Sequence, residues 1–324
     1  MSKVKAGVIG GAGYTAGELL RILVNHPFAE VVFVNSSSNA GNMISEVHSG
    51  LIGETDLIFT SELPFNEVDV LFLCSAHGDS KKFLEASQLP SHIKIVDLST
   101  DYRAKGTDHD FIYGLPELNK TEIQKAERIA NPGCFATAIQ LALLPLASKG
   151  LLKNEVHVNA ITGSTGAGVK PSSTSHFSWR NNNISIYKAF EHQHLQEISQ
   201  SVCQLQPDFS DAINFIPVRG NFARGIYVTT YTRCDLEIEE IKALYKSFYK
   251  DAAFTFITEK NPDMKQVVNT NKAIIYLEKH GDKVLIVSMI DNLLKGASGQ
   301  AVQNMNLMFG LDEKAGLNLK SIGF

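Results

Sequence analysis

A chain of 324 residues and 35.5 kDa is too long for one small core and suggests two domains, each burying a core of its own. Hydrophobic residues make up 44% and charged residues 20%, with a net charge of −4, an ordinary globular balance that gives no electrostatic reason to expect nucleic acid. The opening MSKVKAGVIGGAGY has only a short apolar run before glycines intervene. Neither a signal peptide nor a membrane span is expected there or later, and the protein is placed in the cytoplasm.

In chain order, the opening third alternates short apolar runs with helical patterns: a strand over Val4–Ile9, a helix near Thr15–Asn25, strands over Val31–Val34 and Val68–Leu73, a helix near Asp79–Ser87, and a strand over Ile93–Leu98. Such alternation implies βαβ units and a parallel sheet covered on both faces. The second half predicts longer strands at Glu155–Thr162, Ala212–Pro217, Gly225–Arg233, Lys272–Lys279 and Lys283–Ile290, with helices near His194–Leu205 and Glu237–Tyr249 among them. That pattern suits an α+β domain with a mixed or antiparallel sheet. A last helical segment, Gly296–Phe309, follows without further sheet pattern, and the break between domains is expected near Asn131–Cys134, where Asn-Pro-Gly interrupts the pattern.

The strand Val4–Ile9 runs into Gly10, Gly11, Gly13 and Gly17 and then into a helix with Leu19, Leu20, Leu23 and Val24 on its apolar side. Glycines at this junction let backbone amides approach a pyrophosphate at a helix N-terminus, so Gly10, Gly11, Gly13, Tyr14 and Thr15 are candidate dinucleotide contacts. The plainer reading is a tight strand-to-helix connection. The fold class expected is therefore α/β, a Rossmann-type parallel sheet plus a second α+β domain with a mixed or antiparallel sheet. The second strand ends in Val34-Asn35-Ser36-Ser37-Ser38-Asn39, with none of the acids that hold an adenine ribose in NAD sites. Hydroxyls of Ser36, Ser37 and Ser38 can bond a 2′-phosphate that a carboxylate would repel, which favours NADP, although the serines also read as a simple polar loop.

Of the four cysteines, at 74, 134, 203 and 234, none shows metal-ligand spacing or the density of a disulfide scaffold. Cys134 is distinguished by Asn131-Pro132-Gly133 before it and an apolar helix after it. A helix N-terminus stabilises a thiolate, and its amides can receive an oxyanion. A thiol nucleophile needs a proton carrier, and Glu191-His192-Gln193-His194-Leu195-Gln196-Glu197 supplies two histidines at a helix start. Such a pair can also bind metal, but no companion cysteine or carboxylate cluster completes a site, so no metal is expected and an acid/base role is preferred.

Several motifs in order resemble those of the N-acetyl-gamma-glutamyl-phosphate reductase family, relatives of aspartate-semialdehyde dehydrogenase. They are Gly13–Leu19 (GYTAGEL), Asp97–Arg103 (DLSTDYR), Tyr113–Leu118 (YGLPEL), Asn131–Cys134 (NPGC), Thr162–Gly168 (TGSTGAG), the double-histidine segment and Lys295–Ala301 (KGASGQA). The resemblance implies that Cys134 is the nucleophile, that 1–132 with 297–324 form a dinucleotide-binding domain, and that 133–296 form a catalytic and dimerisation domain. It further implies that the 295–301 segment passes close to the nicotinamide, so Asn292 and Lys295 join Gly166 and Gly168 as candidate cofactor contacts. Two departures stand out: Ser37 replaces an arginine common in the family, and 215–225 reads Phe-Ile-Pro-Val-Arg-Gly-Asn-Phe-Ala-Arg-Gly in place of the family's Pro-His-Leu and Val-Pro elements.

The activity implied is NADPH-dependent reduction of an N-acyl-gamma-glutamyl phosphate to the N-acyl-glutamate 5-semialdehyde, in arginine biosynthesis, through a Cys134 thioester. His192 is the preferred acid/base, with His194 and Glu197 in support. Arg103, Ser164, Arg219 and Arg224 are candidate substrate contacts, the hydroxyls and amides of Ser164–Gly168 with Lys170 suiting a phosphate. Arg219, a cation where apolar residues are usual, suggests an acyl group that carries a charge, such as succinyl. The partners expected are the small-molecule substrate and further copies of the chain, in a homodimer or homotetramer. The alternatives are a related thioester dehydrogenase and a silent dinucleotide-binding sensor.

Overall fold

The computed structural model describes residues 2–76, 78–106 and 108–323. The chain divides into two compact units, Met1–Pro132 with Ala297–Asn318, and Gly133–Gly296 with Leu319–Phe324.

The first unit contains β1 (Val4–Ile9), α1 (Tyr14–Leu23), β2 (Ala29–Asn35), α2 (Ile44–Val47), β3 (Phe59–Thr60), β4 (Val70–Leu73), α3 (Asp79–Ala86), β5 (Lys94–Asp97), β6 (Ile112–Tyr113), α4 (Pro116–Lys125) and β7 (Arg128–Ala130). Its seven strands lie in the order β3-β2-β1-β4-β5-β7-β6, and every neighbouring pair is parallel. The apolar runs are nearly continuous because both faces are covered: Ala6, Val8 and all of β4 are buried. The order reverses between β1 and β4, the switch point at whose carboxyl ends open α/β sheets bind ligands. The glycine turn leaves β1 there.

The closing helix of this unit, Gly299–Met308, is buried along its whole length and packs on α1, α4 and β5. Two of its asparagines bond inside the unit. Asn304 Nδ2 donates to the Gly114 carbonyl at 2.9 Å and to Asn131 Oδ1 at 3.0 Å, and Asn306 Nδ2 donates to the Ala315 carbonyl at 2.9 Å. Before it, Leu294–Ser298 forms a π-helical turn, in which the Gly296 amide reaches back five residues to the Asp291 carbonyl at 2.9 Å. The sequence pattern starts a plain helix at Gly296, because apolar spacing does not register one extra residue in a turn.

The second unit holds α5 (Cys134–Ala147), β8 (Val156–Thr162), α6 (Phe177–Arg180), β9 (Ser185–Ile186), α7 (His194–Leu205), β10 (Ile213–Arg219), β11 (Ile226–Arg233), α8 (Ile238–Phe248), β12 (Thr255–Thr258), β13 (Ala273–His280) and β14 (Lys283–Ile290). Its sheet runs β12-β13-β14-β11-β8-β10-β9. The β8–β10 and β12–β13 pairs are parallel and the others antiparallel, a mixed sheet. The two-residue β3, β6 and β9 lie below any periodicity window, so only the pairing reveals them.

Helix α5 is the axis of this unit. Every residue from Phe135 to Ala147 is buried, as a helix apolar on all sides requires, and α7, α8 and strands β11, β13 and β14 surround it. From α8 and the residue that caps its end, the hydroxyls of Tyr245 and Tyr249 donate to the Ala142 and Leu141 carbonyls at 2.5 and 2.7 Å. Tyr245→Phe keeps the ring's packing and removes one buried bond, so urea unfolding should show a loss of about 1 kcal/mol.

Candidate active site

Helix α5 begins on Cys134, with Gly133 as an extended N-cap that offers no side-chain cap. The first-turn amides of such a helix have no partner one turn earlier, and they carry the positive end of its dipole. Instead of capping the helix, the Gly133 amide donates to Glu197 Oε2 at 2.9 Å, a carboxylate from the first turn of α7. The other carboxylate oxygen of Glu197 stands 3.9 Å from His194 Nε2. A β-carbon on Gly133 would lie 2.4 Å from that same nitrogen, and one on Gly296 would lie 2.8 Å from the Cys134 β-carbon. Glycine at both positions is what lets the imidazole and the π-helical turn close around the start of α5.

His192 and His194 are both buried, but their surroundings differ. The His192 ring sits among Phe135, Phe215 and Tyr187, with centroids 5.5, 5.4 and 5.8 Å away. Its Nδ1 accepts the His194 amide at 3.2 Å, which leaves the proton of the neutral ring on Nε2. Burial first, and then the charge of Lys188, pull its pKa down to about 4. His192 is thus a neutral wall residue, whereas His194 is the imidazole that shares Glu197 with the cap of the cysteine helix. Cys74, at the end of β4, is the opposite of a nucleophile: burial and then the charge of Asp97 push its thiol up to about 12.

A second cluster lies in the same unit. Asp291, fully buried, accepts both Nε and Nη2 of Arg224 at 3.1 Å. It also accepts the amides of Asn269, Leu293 and Leu294. Asn292 Oδ1 accepts the Gly225 amide at 2.7 Å, and its Nδ2 donates to Thr165 Oγ1 at 3.0 Å. These bonds hold the short turn Ser164–Ala167 and Gly168, which has φ +81°. Lys295 is wholly buried within the π-helical turn. Arg224 and Asn292 therefore brace the Ser164–Gly168 loop from behind. Asp291, which does most of the bracing, gave no sequence signal, because one Asp beside an Asn looks like an ordinary turn.

In the first unit, Gly10 has φ +76°, and a β-carbon there would lie 2.9 Å from the Cys74 carbonyl carbon. Gly13 caps α1 without a side-chain bond, and the Thr15 carbonyl accepts from Ser298 Oγ at 2.7 Å. Tyr14 is exposed. This cradle, uncapped and closed to side chains at its base, fits a pyrophosphate. After β2, Ser36 is buried while Ser37 and Ser38 face solvent. Asn39 Nδ2 donates to the hydroxyls of Ser36 and Ser38 at 3.2 and 3.0 Å, and no carboxylate stands in the loop, which fits a 2′-phosphate. His48 escaped the sequence reading: its Nε2 lies 2.7 Å from the Gly11 carbonyl, and its ring fills the space beneath Gly17. Arg103 is buried and donates to the Asn131 carbonyl from Nε and to the Leu98 carbonyl from Nη2, both at 2.9 Å. Among the described residues, no group of three or more His, Cys, Asp or Glu side chains is placed to hold a metal, and no helix is long and apolar enough to cross a membrane.

Known proteins match along the whole chain. A semialdehyde dehydrogenase NAD binding domain model covers residues 5–126, and a semialdehyde dehydrogenase dimerisation domain model covers 134–292. Proteins named N-acetyl-gamma-glutamyl-phosphate reductase from Parabacteroides distasonis and Bacteroides thetaiotaomicron are 67% and 64% identical, over 99% of this chain and 100% of each relative. The chain belongs to the N-acetyl-gamma-glutamyl-phosphate reductase family. A member from Flavobacterium johnsoniae is 59% identical, again over 99% and 100% of the two chains. In fold the chain also resembles aspartate semialdehyde dehydrogenase II of Vibrio cholerae, complexed with ASA, with a TM-score of 0.73 at 15% identity over 96% and 99% of the two chains. The aspartate semialdehyde dehydrogenase of Candida albicans, solved with NADP, gives 0.72 at 16% over 95% and 99%.

Burying a neutral His192 ties stability to pH. The unfolded ring takes its proton as the pH falls through 6.5 and the folded ring only near 4, so this contribution is whole above pH 6.5 and is lost between the two. Thermal unfolding should show a loss on the order of 3 kcal/mol across that window. His192→Asn should flatten the dependence even though it lowers stability throughout.

Proposed function

We propose that this chain carries out the reaction its family is named for, generalised to the N-acyl group: NADPH-dependent reduction of an N-acyl-gamma-glutamyl phosphate to the N-acyl-glutamate 5-semialdehyde, with release of phosphate. The observation that carries this reading is the start of α5, where Gly133, the residue before Cys134, bonds Glu197 and lies against His194 in a chain 67% identical to such a reductase.

The Cys134 thiolate attacks the γ-carbonyl carbon, a C–S bond forms, and the C–O bond to phosphate breaks. NADP, when bound in its reduced form, supplies the hydride that turns the resulting thioester into a thiohemiacetal. Collapse of that adduct breaks the C–S bond and returns the thiolate. First-turn amides of α5 hold the oxyanion in both addition steps. His194 takes the thiol proton at the outset and steadies the alkoxide later, oriented by Glu197. This assignment moves the acid/base role from His192 to its neighbour, because an imidazole titrating near pH 4 and walled by aromatic rings is a weak base that does not become imidazolium at neutral pH.

The hydroxyls and amides of Ser164–Gly168 receive the departing phosphate, with Arg224, Asp291 and Asn292 as the brace, and Lys295 completes the charge around the π-helical turn. Arg103 acts by fixing the backbone at Leu98 and Asn131. Gly10–Thr15 would hold the cofactor's pyrophosphate, and Ser36, Ser37 and Ser38 its 2′-phosphate. The reading includes a cytoplasmic homodimer or homotetramer, supported by the half-buried Tyr227, Ile274 and Tyr276 that pack with Val287 and Met289 on one face of the mixed sheet.

Phosphate-dependent reduction of NADP by the purified protein with an N-acyl-glutamate semialdehyde is the direct test; no turnover with any such semialdehyde sinks the reading. Cys134→Ser should lose on the order of a thousandfold or more in kcat while NADP affinity stays unchanged. His194→Asn should cost about a hundredfold or more and remove one limb of the pH–rate profile. Equal losses in His192→Asn and His194→Asn would undo the division of labour drawn here. Ser37→Asp should shift preference from NADP toward NAD by repelling the 2′-phosphate, read as the ratio of kcat/KM for the two cofactors.

A further inference from the structure

At the end of β10 lies a pair of arginines that the reaction above does not use. Arg180 is 5% exposed, and its guanidinium is spent on neutral acceptors. It donates to the carbonyls of Thr174, Asn183 and Arg219, the last at 2.7 Å, and to Ser185 Oγ at 3.2 Å. These bonds fasten the 174–185 segment onto the end of β10, where Arg219 stands opposite Ser185 of β9 and Thr162 of β8. The Arg219 guanidinium carbon lies 4.6 Å from the centroid of the Tyr187 ring, and its buried Nε has no hydrogen-bond partner.

Tyr187 in turn connects this cation to the nucleophile. Its ring packs edge-on to His192 at 5.8 Å. Its hydroxyl is pushed up to about 12 by burial and then by the charge of the Cys134 thiolate, with Arg219 pulling the other way. One aromatic ring therefore feels both the reacting sulfur and Arg219. Two guanidiniums sit together here, and among the described residues neither forms an ion pair with a carboxylate. Arg219 hydrogen-bonds the Tyr187 hydroxyl but leaves its Nε without a partner; an unsatisfied guanidinium nitrogen is costly to bury, and the fork suits a carboxylate or phosphate delivered by the ligand.

We propose that Arg219 is the receptor for a carboxylate of the substrate, remote from the reacting carbonyl. The inference rests on the reading of the site given above, in which the phosphate has its own loop at Ser164–Gly168. The carboxylate has two sources: the α-carboxylate carried by every N-acyl-glutamyl compound, and the terminal carboxylate of a dicarboxylic acyl group such as succinyl, which an acetyl group lacks.

The test is steady-state kinetics of wild type, Arg219→Leu and Arg219→Lys in the phosphate-dependent direction, varying phosphate and semialdehyde separately, with N-acetyl- and N-succinyl-glutamate semialdehydes. Arg219→Leu should raise the semialdehyde KM at least about tenfold, leave the phosphate KM and kcat within about twofold, and be partly rescued by Arg219→Lys. A loss confined to the succinyl compound assigns Arg219 to the acyl terminus, and an equal loss on both assigns it to the α-carboxylate. Unchanged semialdehyde KM values, or a rise in the phosphate KM alone, overturn the proposal. Calorimetric binding of N-acetyl- and N-succinyl-glutamate to Cys134→Ser, with and without Arg219→Leu, reads the receptor without turnover. If wild type reduces NADP with neither semialdehyde, the proposed reaction falls, while weaker binding in the Arg219→Leu background still supports the receptor and equal binding overturns it. NADP affinity and the thermal midpoint of each variant report whether the fold is kept.

Discussion

The bond from the Gly133 amide to Glu197 orders everything around the cysteine. It ties the cap of α5 to the first turn of α7, so the residue before Cys134 and the helix that carries His194 cannot move independently. The same carboxylate faces His194, and the absence of a β-carbon at Gly133 lets the imidazole approach. Charge placement follows from this one contact. A carboxylate buried at a helix N-terminus is stabilised by the dipole, and a histidine beside it is oriented. Around this core the aromatic rings of Phe135, Phe215 and Tyr187 exclude water, which strengthens each of those interactions.

The two units shape their loops by different means. In the parallel sheet, the turn after β1 is set by backbone, through Gly10 and His48 filling the space beneath Gly17. In the mixed sheet the loop is held by side chains, through the Asp291 network that collects Arg224 and three backbone amides. A charged cluster so fully bonded is rigid, and rigidity is what a loop of small residues at Ser164–Gly168 lacks on its own. The buried Arg180 plays the same part for the 174–185 segment.

Much of this was legible in the sequence, and the reasons are specific. The strands Val4–Ile9 and Lys283–Ile290 and the helix His194–Leu205 were readable because their apolar spacing is long and uninterrupted. Cys134 stood out because Asn-Pro-Gly ahead of an apolar run marks a helix start. What stayed hidden depends on partners distant in sequence. The different surroundings of His192 and His194 are set by Phe135, Phe215, Tyr187 and Gly133, none of which is marked by type or spacing. Asp291 and His48 act through backbone groups, and any residue's backbone looks alike in a sequence. The closing helix, rich in Asn and Gln, resembles a surface helix until its side chains are seen bonded to Gly114, Asn131 and Ala315.

That closing helix bears on how the chain is made. The first unit takes residues from both ends of the sequence, with the whole of 133–296 emerging between them. During synthesis the parallel sheet is therefore finished long before the helix that covers it, and Lys94, whose ammonium donates to the Met308 carbonyl at 2.8 Å, waits more than two hundred residues for its acceptor. His26 waits longer still, for Asn306 and Ala315. Contacts of such sequence separation are slow to form, and until they do an apolar face of the sheet stays open to the ribosome's surroundings, the condition in which nascent chains engage chaperones or aggregate. The second unit, contiguous but for its last few residues, needs no such delay. The order of folding is thus the reverse of the order of translation: the half made later closes first, and the half made earlier is sealed last.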